Sequence, residues 1–430
     1  MKYLAILRDS FREARDSKVL LVLICLSAIV ILIVASLTFT PATPQKTFER
    51  FVDGKINIVL NIHDPVKLEE STRRIFLMKL VNVEQIDGSR DSPHGEYVLT
   101  VLCRDTNQVN EEQARKAKEE VIALFQQAQD LDLIRVPKIE VVPSEDAVAA
   151  PRGTLLRVTV QGTSRTLRLW ENDMSIVFGA IPLPDFAQML GFQISMLADI
   201  VISLGSWGAV LLGVVITSFF IPNMLRKGTV DMLLSKPIHR WSLLVNKYIG
   251  GLSFIFLLNS FAIGGIWLAI GFRTGLWPLE TLLLIPSITF FFAILYAVST
   301  LVGVMTRSTI ACILVTFAAW LLFFAVGTAD GVFRTQRKKD EAKSVPMEKR
   351  WAEGGWAQVV TVLHFVTPRT SDLNRLNGLI VYCGYVTGSL DDIARFNAGE
   401  TVWWESLLVY GAWIVFFVGV SCMWFSTRDY

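Results

Sequence analysis

Long apolar stretches alternate with two extended polar segments along this chain. The apolar stretches run roughly from Leu20 to Thr40, Ile200 to Pro222, Tyr248 to Gly271, Thr281 to Met305, Thr309 to Thr328 and Ser406 to Phe425. A helix crossing a bilayer needs about 20 mostly apolar residues, because no water is present in the hydrocarbon to satisfy its backbone. The pattern therefore predicts an α-helical integral membrane protein with six transmembrane helices. The first stretch exceeds the 7–15 residues of a secretory signal core, and no small-x-small cleavage site follows it, so 19–40 reads as a retained anchor. Ahead of it, Leu4, Leu7, Phe11 and Ala14 recur at helical spacing, with Arg8, Asp9, Arg12 and Arg15 mainly opposite. That is the signature of a helix over 1–18 lying in the membrane interface.

Residues 41–190 break the apolar pattern and read as a water-soluble α+β domain inserted between helices 1 and 2. Lys55 to Ile62, Tyr97 to Arg104, Leu133 to Val142 and Leu155 to Trp170 are partly alternating and rich in Val, Ile, Leu and Thr, which predicts strands. Asn110 with Gln113 resembles a capping box, and Ala114, Ala117, Val121, Leu124 and Ala128 follow at helical spacing. His63, His94, Cys103 and Met78 are too scattered to suggest a metal set. The acidic pairs Glu69–Glu70 and Glu111–Glu112 read as solvated helix faces, and nothing resembles a Ser/His/Asp or Cys/His catalytic arrangement.

Basic residues near the spans set the orientation. Lys2, Arg8, Arg12, Arg15 and Lys18 precede the first span, and Arg226, Lys227, Lys236, Arg240 and Lys247 follow the second. Both segments are expected in the cytoplasm, which makes 41–190 and 329–400 extracytoplasmic. Within 329–400, Trp356 to Val366 and Leu376 to Leu390 are too short to cross and suggest short re-entrant or outer helices, or a small lobe with its own core. The remaining divisions are 191–328, holding helices 2–5, and 401–430, holding helix 6 and a cytoplasmic tail. Arg334, Arg337, Lys338, Lys339 and Lys343 crowd the start of the second outer segment, against the charge rule.

Composition strengthens the membrane reading: 52% of residues are hydrophobic and 19% charged, too apolar a balance for an ordinary soluble chain. A net charge of +2 gives no general attraction to nucleic acid, which excludes that class of partner. Cys25, Cys103, Cys312, Cys383 and Cys422 form no CxxC pair or Cys/His cluster. The spans as drawn hold no ionisable residue, which weighs against an ion-coupled carrier. No GxxxxGK[ST] or GxGxxG run offers a nucleotide cradle, so the chain is not expected to be an enzyme in its own right.

The segment between the second and third spans carries the most chemistry. Thr229 is placed to cap a short helix favoured by Asp231 and stopped by Pro237. Met232, Leu233 and Leu234 cannot all be hidden on so short a helix, and Lys227, Lys236 and Arg240 ring them. Such an apolar knob suits a groove on a cytoplasmic partner; it equally suits a lipid-surface helix with basic anchors. The run from Lys227 through Gly228, Thr229, Val230, Asp231, Met232, Leu233, Leu234, Ser235, Lys236, Pro237, Ile238 and His239 to Arg240, followed by Leu243, Leu244, Lys247, Tyr248 and Gly250–Gly251, resembles the signature of type-2 ABC transporter permeases, the branch labelled multicopper-enzyme-maturation permeases. That pattern is a Gly-Thr pair, an acidic residue two positions on, a Leu-Leu pair, then Pro and Arg. Many members carry glutamates before the Gly-Thr pair, where this chain has Met224 and Arg226, and many have only a short loop in place of 41–190.

The resemblance implies a multi-pass protein of the bacterial inner membrane, paired with a second permease subunit and bound to cytoplasmic ABC ATPases that hold the ATP. Gly228, Thr229, Asp231, Met232, Leu233, Leu234, Lys236, Pro237 and Arg240 would then form the coupling helix, at 227–240, that passes ATPase motion to the spans. The expected function is the permease subunit of such a transporter. The alternative is a mechanical transmitter or assembly protein whose 41–190 domain binds an envelope partner while nothing crosses the bilayer. Gly250, Gly251, Gly264 and Gly265 suit either a dimer seam or packing within the chain.

Overall fold

The computed structural model describes residues 19–52, 78–87, 93–104, 134–141, 153–225, 239–342, 354–387 and 403–427, with scattered positions between 119 and 132 and between 346 and 352. The expected interfacial helix over 1–18, the strand at 55–62 and the capping box at Asn110 lie outside them. The chain divides into two compact units: residues 36–197 with 381–398, and residues 1–35, 198–380 and 399–430.

The first unit is built on two antiparallel sheets. One takes the order β2-β3-β5-β4, from Met78–Asp87 (β2), Glu96–Arg104 (β3), Ile134–Val141 (β4) and Gly153–Gly162 (β5). Alternation puts Tyr97, Leu99 and Val101 of β3 on one face, directly across from Val160, Val158 and Leu156 of β5, and all six are buried. Against that face pack Phe48, Phe51 and Val52 of α2 (Pro44–Val52), with Phe125, Ala128 and Trp170. Trp170 closes the core, standing edge-on to Phe48 and donating its indole N–H to the carbonyl of Ala42 at 3.0 Å. Tyr382, Cys383 and Val386 complete this core from the second stretch of the unit. The smaller sheet runs β1-β6-β7, from Thr38–Pro41 (β1), Glu171–Ile176 (β6) and Ile181–Met189 (β7).

Strands appear where expected at 97–104 and 133–142. The strand expected over 155–170 stops at Gly162, because the Thr166 hydroxyl takes the Thr163 N–H at 2.6 Å and turns the chain into a short 3₁₀ helix, Thr166–Arg168.

The second unit is helical. Its elements are α1 (Val19–Ala35), α4 (Phe220–Met224), α5 (Arg240–Thr274), a 3₁₀ turn at Leu279–Leu283 leading into α6 (Leu284–Thr306), α7 (Thr309–Ala342), α8 (Gly355–Val366) and α10 (Trp403–Thr427). Two further helices, α3 (Leu190–Thr217) and α9 (Thr370–Tyr382), each contain a unit boundary. Their core is aromatic: Tyr248 stacks on Tyr296 at 5.0 Å, and Phe292 on Tyr296 at 5.6 Å. Gly275 ends α5 in the left-handed conformation, returning its N–H to Gly271. Arg307 does the same for α6, against Gly303.

The expected six-helix architecture is corrected by these lengths. Among the described residues, four helices are long and apolar enough to cross a membrane: Arg240–Thr274, Leu279–Thr306, Thr309–Glu341 and Trp403–Thr427. The first expected span is represented by the helix Val19–Ala35 and is not among the four. The second expected span, 200–222, falls on α3 and α4, between which the chain turns at Ser218 and Phe219, and it is not among the four. The expected extracytoplasmic placement falls with it: residues 36–197 precede all four membrane-length helices and do not lie between the first two. The basic residues that offended the charge rule also find their place. Arg334, Arg337, Lys338 and Lys339 lie on α7, which continues past the expected stop at Thr328 to Ala342.

Candidate functional site

Of the residues proposed to couple to a partner, Gly228, Thr229, Asp231, Met232, Leu233, Leu234, Lys236 and Pro237 lie outside the described residues. Arg240 is described and opens α5, after an extended His239 whose ring stacks on Trp241 at 6.4 Å. The two ends of the 226–238 segment are held together. Ile221, Met224 and Leu225 before it, and Leu243 and Leu244 after it, are buried in one apolar cluster with Val304 of α6 and Phe425 of α10. Gly303 makes the closeness possible, since a Cβ there would stand 3.2 Å from Ile221 Cγ2 and from Cys312 Sγ. The residues that flank the segment on both sides thus pack in one cluster with α5, α6 and α10.

A second constellation was not read from the sequence. His364 of α8 is 2% exposed and lies between Asp330 and Arg334 of α7 on one side and Ser371 and Asp372 of α9 on the other. Asp330 and Arg334 are one helical turn apart and form an ion pair. Arg334 Nη2 stands 3.2 Å from His364 Nδ1, Asp330 Oδ2 stands 3.4 Å from the same nitrogen, and Ser371 Oγ is 3.1 Å from Nε2. Asp372 is 3.9 Å from Nε2 and accepts a hydrogen bond of 2.9 Å from Ser406 of α10. Arg369 packs over the Phe365 ring at 4.8 Å and lies 3.9 Å from Glu405. Beside this group, Trp413 donates to the carbonyl of Val366 at 2.7 Å, and Ser287 to Asn377 at 2.6 Å.

An arginine can only donate, so Nδ1 of His364 accepts from Arg334 and the ring proton belongs on Nε2, directed at Ser371. Burial pushes His364 below its usual range and outweighs the opposing pull of Asp330 and Asp372. Asp330, His364 and Ser371 have the residue types of a hydrolytic triad, a juxtaposition that the wide sequence spacing hid. Their protons are wrong for that chemistry, because a general base must present a bare Nε2 to the serine. Ser371 is also pressed against α7, where a Cβ on Gly327 would stand 2.9 Å from its Cβ and Oγ. The cluster is a clamp that fastens α8 and α9 to the C-terminal half of α7 and the start of α10. A sequence signal did exist: Asp330, Arg334 and Arg337 recur at i, i+4 and i+7, one polar stripe continuing an apolar helix.

Among the described residues, no group of three His, Cys, Asp or Glu side chains is placed to hold a metal ion. The family described as ABC-2 family transporter protein matches residues 4–430 of the chain. No curated protein matches it.

Proposed function

The chain belongs to the ABC-2 family of transporter proteins, and from that premise we propose that it couples ATP hydrolysis by a separate cytoplasmic ATPase to movement of a substrate across the membrane. Its family and its long apolar helices make it a multi-pass membrane protein and an ABC-type permease. ABC-2 membership implies partnership with a cytoplasmic ATPase. The observation that carries the coupling reading is the clamp on the 226–238 segment: its two ends share one apolar cluster with three membrane-length helices. The ATPase grips Gly228, Thr229, Asp231, Met232, Leu233, Leu234, Lys236, Pro237 and Arg240, and the cluster carries their displacement into α5, α6 and α10 as a rigid-body shift. A second permease subunit completes the assembly in the bacterial inner membrane. The narrower likeness to multicopper-enzyme-maturation permeases is supported by the 227–251 run alone.

The test replaces Leu233 and Leu234 with Asp and purifies the chain with its ATPase. The reading predicts loss of co-purification and of ATP hydrolysis by the complex; undiminished association and hydrolysis would reject it. The transmitter alternative draws its support from the size of the sheet-bearing unit, 36–197 with 381–398. Removing residues 45–188 separates the two, because a transporter keeps substrate-stimulated hydrolysis whereas a transmitter loses its envelope partner.

A further inference from the structure

Two groups compete for the carboxylate of Asp330. Its Oδ2 is bonded by Arg334 Nε and lies 3.4 Å from His364 Nδ1, while the same Nδ1 stands 3.2 Å from Arg334 Nη2. With a neutral ring the triangle is consistent, because Arg334 gives Nε–H to Asp330 and Nη2–H to the bare Nδ1. A proton added to Nδ1 from water makes both ring nitrogens donors and sets an imidazolium N–H against the Arg334 N–H, with like charges behind them. That contact does not persist. Nε2 offers no relief, since its own proton faces Ser371 at 3.1 Å and Asp372 at 3.9 Å, and Asp372 is held by Ser406.

Burial decides which cation yields. The side chains of Asp330 and His364 are 2% and 3% exposed, whereas that of Arg334 is 33% exposed. Arg337, Lys338 and Lys339 follow Arg334 on α7 and mark the polar end of that helix, where a long basic side chain has a way out to water. When Arg334 withdraws, the imidazolium takes its place beside Asp330, so the interior keeps one positive and one negative charge and no carboxylate is left unpaired. Asp330 has room for the new donor: its Oδ1 is buried and has no hydrogen-bond partner among the described residues. The exchange also leaves the helices attached. Arg337 ties α7 independently to the Thr361 hydroxyl of α8 at 3.2 Å and to the carbonyl of Ala352 at 2.9 Å.

We propose that Asp330, Arg334 and His364 form a proton-operated switch, in which uptake of one proton at His364 Nδ1 transfers Asp330 from Arg334 to the imidazolium and releases the Arg334 guanidinium to the surface. All three residues lie in the helical unit, so the switch holds whatever the chain transports. Its sense follows from the surroundings of the ring. Burial is the largest influence and favours the neutral form, Asp330 and Asp372 favour the charged form, and Arg334 and Arg369 oppose it. Arg375 of α9 and Tyr410 of α10 are coupled electrostatically to Asp372, and Glu405 of α10 reaches Arg369. Arg334 is therefore docked at neutral pH and is released as pH falls below the ordinary histidine value of about 6.5.

The test uses the full chain in detergent with its histidine rings labelled with nitrogen-15. The chain has four histidines, and His364→Gln identifies the signal by its loss. At pH 8 the His364 ring should show a bare Nδ1 and a protonated Nε2, and on titration to pH 5 the proton should enter at Nδ1. Hydroxyl-radical footprinting read by mass spectrometry then follows Arg334, with the His364→Gln chain at the same pH as the reference. Oxidation of Arg334 should match the reference at pH 8 and rise about three-fold or more once the ring is charged, while that of Arg337 stays level. Arg334→Gln removes the competing cation and should raise the midpoint of the ring by about one pH unit or more. A bare Nε2 at pH 8, a ring still neutral at pH 5, or Arg334 oxidation that does not follow the charge of the ring would overturn the proposal. A rise shared equally by Arg337 would mean that the whole clamp opens without an exchange, and would overturn it too.

Discussion

Gly251 lies under the ring of Tyr296, so close that a Cβ on the glycine would stand 2.7 Å from both Cε1 and the hydroxyl oxygen. The two belong to α5 and α6, and their approach is fixed from both sides. Tyr296 stacks on both Tyr248 and Phe292, and the Tyr248 hydroxyl donates to the carbonyl of Ala293 at 2.7 Å. Gly265 is occupied likewise, its open face filled by Ile31 of α1. Both glycines therefore serve packing within the chain.

Gly251→Ala should destabilise the helical unit by about 1–3 kcal/mol, because the ring has no empty space to enter. Thermal unfolding of the purified chain in detergent would show this as a lowered midpoint, whereas Gly264→Ala, with nothing within 4 Å, should be silent.

The His364 clamp gives a signed pH dependence. Burial holds its folded value below the unfolded one, so the unfolded chain binds the proton more readily and stability falls as pH drops through about 6.5. The groups acting on the ring are Asp330 and Arg334 from α7 and Asp372 from α9, and Arg375 of α9 acts in turn on Asp372 and Arg334. Arg369 adds a charge from the turn before α9, and Glu405 of α10 reaches Arg369. Unfolding midpoints measured between pH 5 and 8 should show a slope for the native chain and a flatter one for His364→Gln, which keeps hydrogen-bonding capacity and cannot charge.

Asp199 titrates in the opposite sense. Burial pushes its carboxyl up to about 6, so the ionised form destabilises the folded chain above that pH and the effect fades as pH falls toward 4. Asp199→Asn should therefore raise stability at pH 7.5, on the order of 2 kcal/mol, and change little near pH 4. A stabilisation equal at both pH values would show that charge is not its origin.

The long apolar helices from 240 onward were legible in the sequence because lipid imposes an apolar run on each. The ends were less so. α7 keeps its helical backbone for more than three turns past Thr328 by changing from an apolar face to a polar stripe, which hydropathy reads as an end. The central strands β3 and β5 were legible through alternation, since one face of each is buried against the same core. β6 and β7 escaped notice because their residues, Glu171, Asn172 and Asp173 among them, do not alternate, and pairing with β1 decides their conformation. The His364 clamp was legible only in its α7 part, the stripe of Asp330, Arg334 and Arg337; the meeting of that stripe with His364 and Ser371 comes from α7, α8 and α9 folding on one another, which no local spacing records.

Phe425 offers the sharpest separation of binding from transmission. Its side chain is 1% exposed and closes the cluster that holds Ile221, Met224 and Leu225 against Leu243, Leu244 and Val304. Phe425→Ala removes the contact between α10 and both ends of the 226–238 segment, at a cost of roughly 3–5 kcal/mol in that cluster. It leaves the segment's own residues untouched. On the coupling reading, the ATPase should still co-purify in its normal ratio, while the difference in hydrolysis rate between assembled and free ATPase collapses. Loss of co-purification would mean that the cluster shapes the docking surface itself. Full retention of the rate difference would mean that the push reaches the membrane helices through α5 and α6 without α10.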